Sequence, residues 1–295
     1  MKPSLALVAA GVALSACGAP GFFPTPTGTS PPPTPTPTPV PLAAIVAGEG
    51  LLLSDLQEEV ARFEAAQAAL GIDLASLGDY RSQVLQALID RRLLAQGAVE
   101  RGLTFDEQAI DAELAALAEA RGGSQAMGAW LAENGYTLES FKRALREDRF
   151  AAMMIERIAS EVSGEAEQVR AAHILVATRA EAEELLAQLT AGGDFAELAR
   201  VFSLDAATRP AGGDLGWFPR GYLLIPEVDQ AAWSLATGET SEVVASGLGY
   251  HIVRSLERGV HPLAPDALRF VRQQAVEAWL EARRAATPIE ITVAP

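Results

Sequence analysis

The segments AAHILV, residues 171–176, and LGYHIV, residues 248–253, decide the fold of this chain. Each is a short apolar run rich in strand-forming residues, which predicts a buried strand, and each holds a histidine inside it. Alternate residues of a strand share a face, so His173 shares one with Ala171 and Leu175, and His251 shares one with Gly249 and Val253. If the two strands are neighbours, the imidazoles can meet. Between them stand FSLD, residues 202–205, and GGDLGWFPRG, residues 212–221. The glycines of the second suit a turn that needs positive φ or close backbone approach, and Leu215, Trp217 and Phe218 predict an apolar rim carried on a loop.

Taken in this order, the four motifs resemble the parvulin family of peptidyl-prolyl cis/trans isomerases over residues 169–258. The resemblance implies a small antiparallel sheet wrapped by helices, with a site of two facing histidines, an Asp or Cys, and an apolar proline pocket. Carried onto this sequence, the site residues are His173, Asp205 and His251, and the pocket falls on Leu215, Phe218, Leu223, Leu224 and Val228. The sequence departs from the family pattern at Val228, where many members carry an aromatic residue. The segment YLLIP, residues 222–226, is one residue longer than the usual one.

The 295 residues suit about two domains, and a hydrophobic fraction of 49% is ample for their cores. Acids outnumber bases 38 to 23, a formal charge of -15, which argues against a nucleic-acid or anionic-lipid surface, since phosphates are held by clustered Lys and Arg. One Cys and three His leave no usual metal-ligand spacing and no disulfide within the chain.

Residues 1–17 open with Lys2, run through an apolar stretch too short to span a bilayer and end in LSAC, a secretory signal pattern. LSAC resembles a bacterial lipobox, which implies cleavage before Cys17 and lipid on its sulfur, an extracytoplasmic anchor to the cell membrane. Residues 18–41 are Pro, Thr, Gly and Ser with almost no charge and form a linker; in polyproline II geometry it would span roughly 70 Å. Residues 42–165 read as mostly helix, after a short strand at 43–47. Capping boxes are expected at Ser54 with Gln57 and at Thr104 with Glu107. One helix spans residues 80–101, and a last one from Thr137 carries Leu138, Phe141, Leu145, Phe150, Met154 and Ile158 towards the following domain. Residues 265–286 again look helical, and PIEITVA alternates Ile289, Ile291 and Val293 as a strand expected to pair with residues 43–47. His261 is read as a surface residue of the connecting loop.

The helical region resembles, more loosely, the amino-terminal chaperone module of SurA- and PrsA-type foldases, whose chain end returns to that module. The expected architecture is therefore α+β: a signal peptide at 1–17, a linker at 18–41, a helical chaperone-like module at 42–165, a parvulin-like domain at 166–259, and a returning helix and strand at 260–295. The implied activity is prolyl isomerisation of unfolded exported polypeptides, which needs neither nucleophile nor cofactor. Asp205 is also readable as a turn residue, and the histidine pair as a brace. A Ser/His/Asp hydrolase is disfavoured because no GxSxG elbow is present. The alternative from another class is a lipid-anchored holdase with little isomerase activity, suggested by the smaller wall at Val228. Replacing Cys17 with Ser is expected to release the protein from membranes or leave it unprocessed; recovery of mature, membrane-bound protein on fractionation would overturn the lipobox reading.

Overall fold

The computed structural model describes residues 40–293, an α+β fold with nine α-helices and seven strands among those residues. The expected signal peptide, Cys17 and nearly all of the linker lie outside the described residues. Strands β1 (Leu42–Val46) and β2 (Glu49–Leu52) pair across Ala47 and Gly48, both at positive φ, the turn geometry that matches the twist of a two-residue hairpin. Helix α1 (Leu53–Ala69) follows without a loop, and no side chain caps it. The box expected from Ser54 and Gln57 does not form, because the first helical amide, Leu53 N–H, already donates to the Pro41 carbonyl at 3.0 Å.

Helix α2 (Tyr80–Glu100) stops at Gly102, with φ +72, as its sequence predicts. Helix α3 (Glu107–Ala120) begins two residues later than expected: Asp106, not Thr104, is its cap, accepting from Gln108 N–H at 2.9 Å. Phe105 packs on Phe150 with ring centroids 4.7 Å apart, which holds residue 104 outside the helix. Helices α4 (Ser124–Glu133) and α5 (Leu138–Glu161) complete the helical part; Thr137 and Ser140 make a capping box for α5.

The second part starts with β3 (Glu165–Val176), α6 (Arg179–Thr190) and α7 (Phe195–Phe202). It continues with β4 (Asp214–Phe218), α8 (Pro226–Ser234), β5 (Val244–Ser246) and β6 (Gly249–Pro262). The chain then closes with α9 (Pro265–Ala286) and β7 (Ile289–Ile291). Two readings are corrected. The core of GGDLGWFPRG is a strand and not a loop, because it finds the free edge of β3. His261 lies in β6, half-buried, with its ring 3.8 Å from that of Trp217, so it is neither in a loop nor without a partner.

All pairings are antiparallel, in the orders β2-β1-β7 and β4-β3-β6-β5. Helices cover both faces of AAHILV. Ala172, Ile174, Val176 and Ile252 pack on α6 and α7 through Leu185 and Phe195, and Val169, Ala171 and Val253 pack on α8 through Val228 and Trp233. Burial on both sides is why that run is almost continuously apolar.

A separate core joins β1, β2, α1, α2, α5 and α9 around Leu93 and Met154. Phe150, Met154 and Ile158 of α5 belong to it, so α5 turns them into its own module and not towards the domain that follows; Leu138 is exposed. Gly97, in the last turn of α2, would cost about 1 kcal/mol against Ala in an exposed helix. Here a Cβ would lie 2.7 Å from the ring of Trp279 in α9, so glycine lets the two helices approach. Arg284 of α9 grips Asp90 of α2 with two bonds of 2.7 Å. Among the described residues no helix is long and apolar enough to cross a membrane.

Strand β7 pairs with β1 over Ala44↔Ile291 to Val46↔Ile289, flanked by Thr292 N–H to the Ala43 carbonyl and Ala47 N–H to the Pro288 carbonyl, both 3.0 Å. Ile289 and Val293 pack on the helical core, while Ile291 is 55% exposed. Truncation after Ala286 should therefore strip amide protection from Ala47 and β1 and leave β3 and β6 protected. Hydrogen exchange that slackens equally in both sheets would contradict this.

Candidate active site

His173 and His251 occupy neighbouring strands one pairing step apart, since His173 stands opposite Val253 and Leu175 opposite His251. Diagonal neighbours on one face are within reach of long side chains. Their Nδ1 atoms are 3.2 Å apart, and the ring planes lie within 16°. Both rings are buried.

The FSLD turn brings the carboxylate. Ser203, buried at the end of α7, accepts from Leu175 N–H at 3.2 Å and from Asp205 N–H at 3.3 Å, while Leu204 N–H donates to the Leu175 carbonyl at 2.7 Å. This locks the turn to β3 beside His173. Asp205 Oδ2 then lies 2.7 Å from His173 Nε2 and also accepts from the Thr208 hydroxyl; Oδ1 accepts from Ala207 N–H at 3.1 Å. At the other end His251 Nε2 meets Ser246 Oγ at 2.7 Å, and that oxygen accepts from Leu248 N–H at 3.1 Å.

One proton arrangement satisfies the whole chain of atoms. His173 donates from Nε2 to the carboxylate and accepts at Nδ1 from His251, which accepts at Nε2 from the Ser246 hydroxyl. His251 is then neutral, with its proton on Nδ1. Burial and the neighbouring His173 push the His251 imidazole from 6.5 down to about 4. Burial would raise the Asp205 carboxyl, but Thr208, His173 and Ala207 outweigh it and hold it below the usual carboxylate value.

Gly213 fixes the strand opposite. Its φ is +82, and a Cβ there would lie 2.2 Å from the His173 carbonyl oxygen; glycine alone lets β4 come close enough for His173 N–H to donate to the Gly213 carbonyl at 2.9 Å. Asp214 is clamped by Arg170 at 2.6 Å and accepts from Gly216 N–H at 2.8 Å; burial alone would raise its carboxyl, but these bonds hold it low.

His173 and Asp205 open onto a cleft of about 700 Å³. Its walls are apolar: Leu175 and Leu215 from the sheet side, Val228 from α8, Leu223, Leu224 and Ile225 from the segment before α8, and Leu248 from the β5–β6 turn. Tyr222 and, from α9, Phe270 complete it. The rim segment is held by Asp229, a buried carboxylate that accepts from Gly221 N–H at 2.9 Å and Leu223 N–H at 3.2 Å.

The structure thus gathers His173, Asp205, Leu215, Leu223, Leu224 and Val228 around one cleft. Two expected site residues are not on its surface. Phe218 is buried in the core with Val169, Val228 and Trp233, because Gly216 at positive φ breaks the alternation along β4, and Trp217 turns away to His261. His251 is fully buried behind His173 and touches the cleft only through it. Sequence reasoning missed Ser246, although it lies five residues before His251 across a tight hairpin, where period-two counting would place it beside the ring. Asp229, Tyr222 and Phe270 carried no sequence signal that set them apart. Among the described residues no three His, Cys, Asp or Glu side chains cluster in a way that would hold a metal ion.

Two family models match the chain, the SurA-like N-terminal domain over residues 7–155 and the PPIC-type PPIase domain over residues 165–257. Foldase protein PrsA of Caldanaerobacter subterraneus subsp. tengcongensis is 33% identical over 59% of this chain and 56% of its own length. Chaperone SurA of Alcanivorax borkumensis is 29% identical over 74% of this chain and 57% of its own length, so this chain spans a little over half of either relative. A solved structure of peptidylprolyl isomerase PrsA from Bacillus cereus aligns with 80% of this chain and 84% of that one at 22% identity and a TM-score of 0.45, too loose a likeness to argue from.

The depressed His251 sets a pH signature. Between pH 6.5 and about 4 the unfolded chain takes up a proton that folded His251 refuses, so stability falls as pH drops through that window, by up to roughly 3 kcal/mol. Asp205, held low, contributes stability that is present above the ordinary carboxylate value and lost as pH falls from there through its own lowered value. Denaturant unfolding should show this fall, and His251→Gln should flatten it; a wild-type profile already flat in that window would contradict a buried, neutral His251.

Proposed function

The chain belongs to the family of proteins with a SurA-like N-terminal domain, and we propose on that premise that it is a peptidyl-prolyl cis/trans isomerase and foldase acting on unfolded exported polypeptides. The functional division is the one read from the sequence: a helical chaperone-like part at 42–165, an isomerase part at 166–259, and a segment at 260–295 that returns to the first. The observation that carries the activity is the buried His173 and the Asp205 carboxylate opening together into an otherwise apolar cleft. The names of the relatives, foldase and chaperone, support the same class. The leader and LSAC support an extracytoplasmic protein tethered by lipid on Cys17.

An X-Pro bond prefers trans only slightly, yet rotation must cross a barrier of about 18–20 kcal/mol, the loss of amide resonance. Resonance puts negative charge on the carbonyl oxygen, and the twisted state removes much of it. A carboxylate beside that oxygen disfavours the planar amide more than the twisted one, and a dry cleft strengthens the effect. Leu215, Leu223 and Val228 hold the ring while the preceding carbonyl turns beside Asp205. His173 keeps the carboxylate aimed and ionised, and His251 with Ser246 holds His173 in one tautomer. No bond is made or broken.

The full-length chain in detergent should accelerate cis/trans exchange of short X-Pro peptides, and Asp205→Ala should slow it about tenfold or more. The Asp205 side chain is partly open to solvent, so water can replace it on His173 and the fold should persist at a cost of about 1 kcal/mol. Suppression of client aggregation should survive the change, since holding depends on apolar surface. Wild-type protein that suppresses aggregation yet accelerates exchange on no X-Pro peptide would leave the holdase alternative in place of the enzyme.

A further inference from the structure

We infer that Phe270, on the C-terminal helix and outside the isomerase sheet, is a substrate-contacting residue that closes the cleft over the proline ring, an inference that rests on the isomerase reading above. Phe270 lines the same cleft as His173 and Asp205. Its ring is only half-buried, and its packing partner orients it: Tyr222 meets it edge to face with centroids 5.4 Å apart. That geometry is favoured by the aromatic quadrupole and holds one face of a ring in place.

The helix that carries it is fixed at both ends. Only two residues separate β6 from Pro265, which opens α9, and buried Leu263 and Ala267 seat the first turn. The far end is held in the helical core by Leu280 and by Arg284 on Asp90. Phe270 is therefore a placed wall and not a loose side chain.

The remaining walls explain why an aromatic is useful there. Leu215 and Val228 are aliphatic, and Leu224 is 99% exposed at the mouth, so it closes nothing. The C–H groups of a proline ring beside the amide nitrogen are polarised positive and sit well on the negative face of an aromatic ring, which is why aromatic-lined grooves take proline. The small Val228 leaves that face to be supplied from elsewhere, and Phe270 is the aromatic side chain on the side open to α9.

The test uses the full-length chain with Phe270→Ala, Phe270→Leu and Phe270→Tyr on one X-Pro peptide. Phe270→Ala should lower kcat/KM about tenfold, nearly all of it in KM, with kcat within about twofold of wild type; Leu should lie between, and Tyr should restore the wild-type value. Val276→Ala, farther along α9 and packed on the helical core, perturbs the same helix without touching the cleft and should change neither constant. Equal losses in Phe270→Ala and Val276→Ala would show that helix packing and not the ring matters, and would overturn the inference. So would an unchanged rate or a higher one, the latter because it would mark Phe270 as a plug. Peptide binding is read in the same samples from amide chemical shifts. A wild-type chain that binds the X-Pro peptide without accelerating exchange would sink the isomerase reading alone; this inference would then stand if Phe270→Ala weakened binding and fall if it did not.

Discussion

The long antiparallel ladder between β3 and β6, from Glu165 opposite Pro262 to Val176 opposite Tyr250, is the constraint on which the site depends. It brings two histidines distant in sequence to adjacent positions on one face. It also offers its other edges to β4 and β5, which deliver Gly213 against the His173 carbonyl and Ser246 against His251. A slip of one residue would send every side chain to the opposite face, so the packing of α6 and α7 on one side and α8 on the other fixes the register.

A buried polar chain is tolerable only when every member is satisfied, because each orphaned donor or acceptor costs about 1–3 kcal/mol. The run from Asp205 through His173 and His251 to Ser246 meets that condition in a single proton arrangement. Its two ends differ. Asp205 and His173 face the cleft, whereas His251 and Ser246 stand behind them, so the two histidines, alike in sequence setting, are unlike in exposure to a ligand. The neutral state of His251 follows from its burial and from its neighbour, and it removes any need for a compensating charge behind the site.

The helical part and the part built on the β3–β6 ladder share one element, α9. At about 1.5 Å per residue its 22 residues span roughly 33 Å, enough to place Phe270 beside the cleft and Trp279, Leu280 and Arg284 in the core around α2. Gly97 and the Arg284–Asp90 pair hold one end, and the short link from β6 holds the other. The rim of the cleft is thus built from two segments well apart in the chain's second half: residues 221–225, tied down by Asp229, and the first turns of α9.

The sequence by itself determined the strands at 171–176 and 248–253 with the histidine inside each, the helix ends at Gly102 and Thr137, and the strand pattern of residues 289–291. Each of these is written in local periodicity or in a single residue's backbone preference. Where tertiary contacts compete with local preference, tertiary structure decided. The hairpin ladder replaced the cap expected at Ser54, and a Phe105–Phe150 contact moved the start of α3 to Asp106. Positive φ at Gly216 and a free strand edge turned an expected loop into β4 and buried Phe218. Phe270 reached the cleft only because α9 is held between two cores. A cleft is a surface shared by segments far apart in sequence, and no local pattern records which side chain will meet which across that distance.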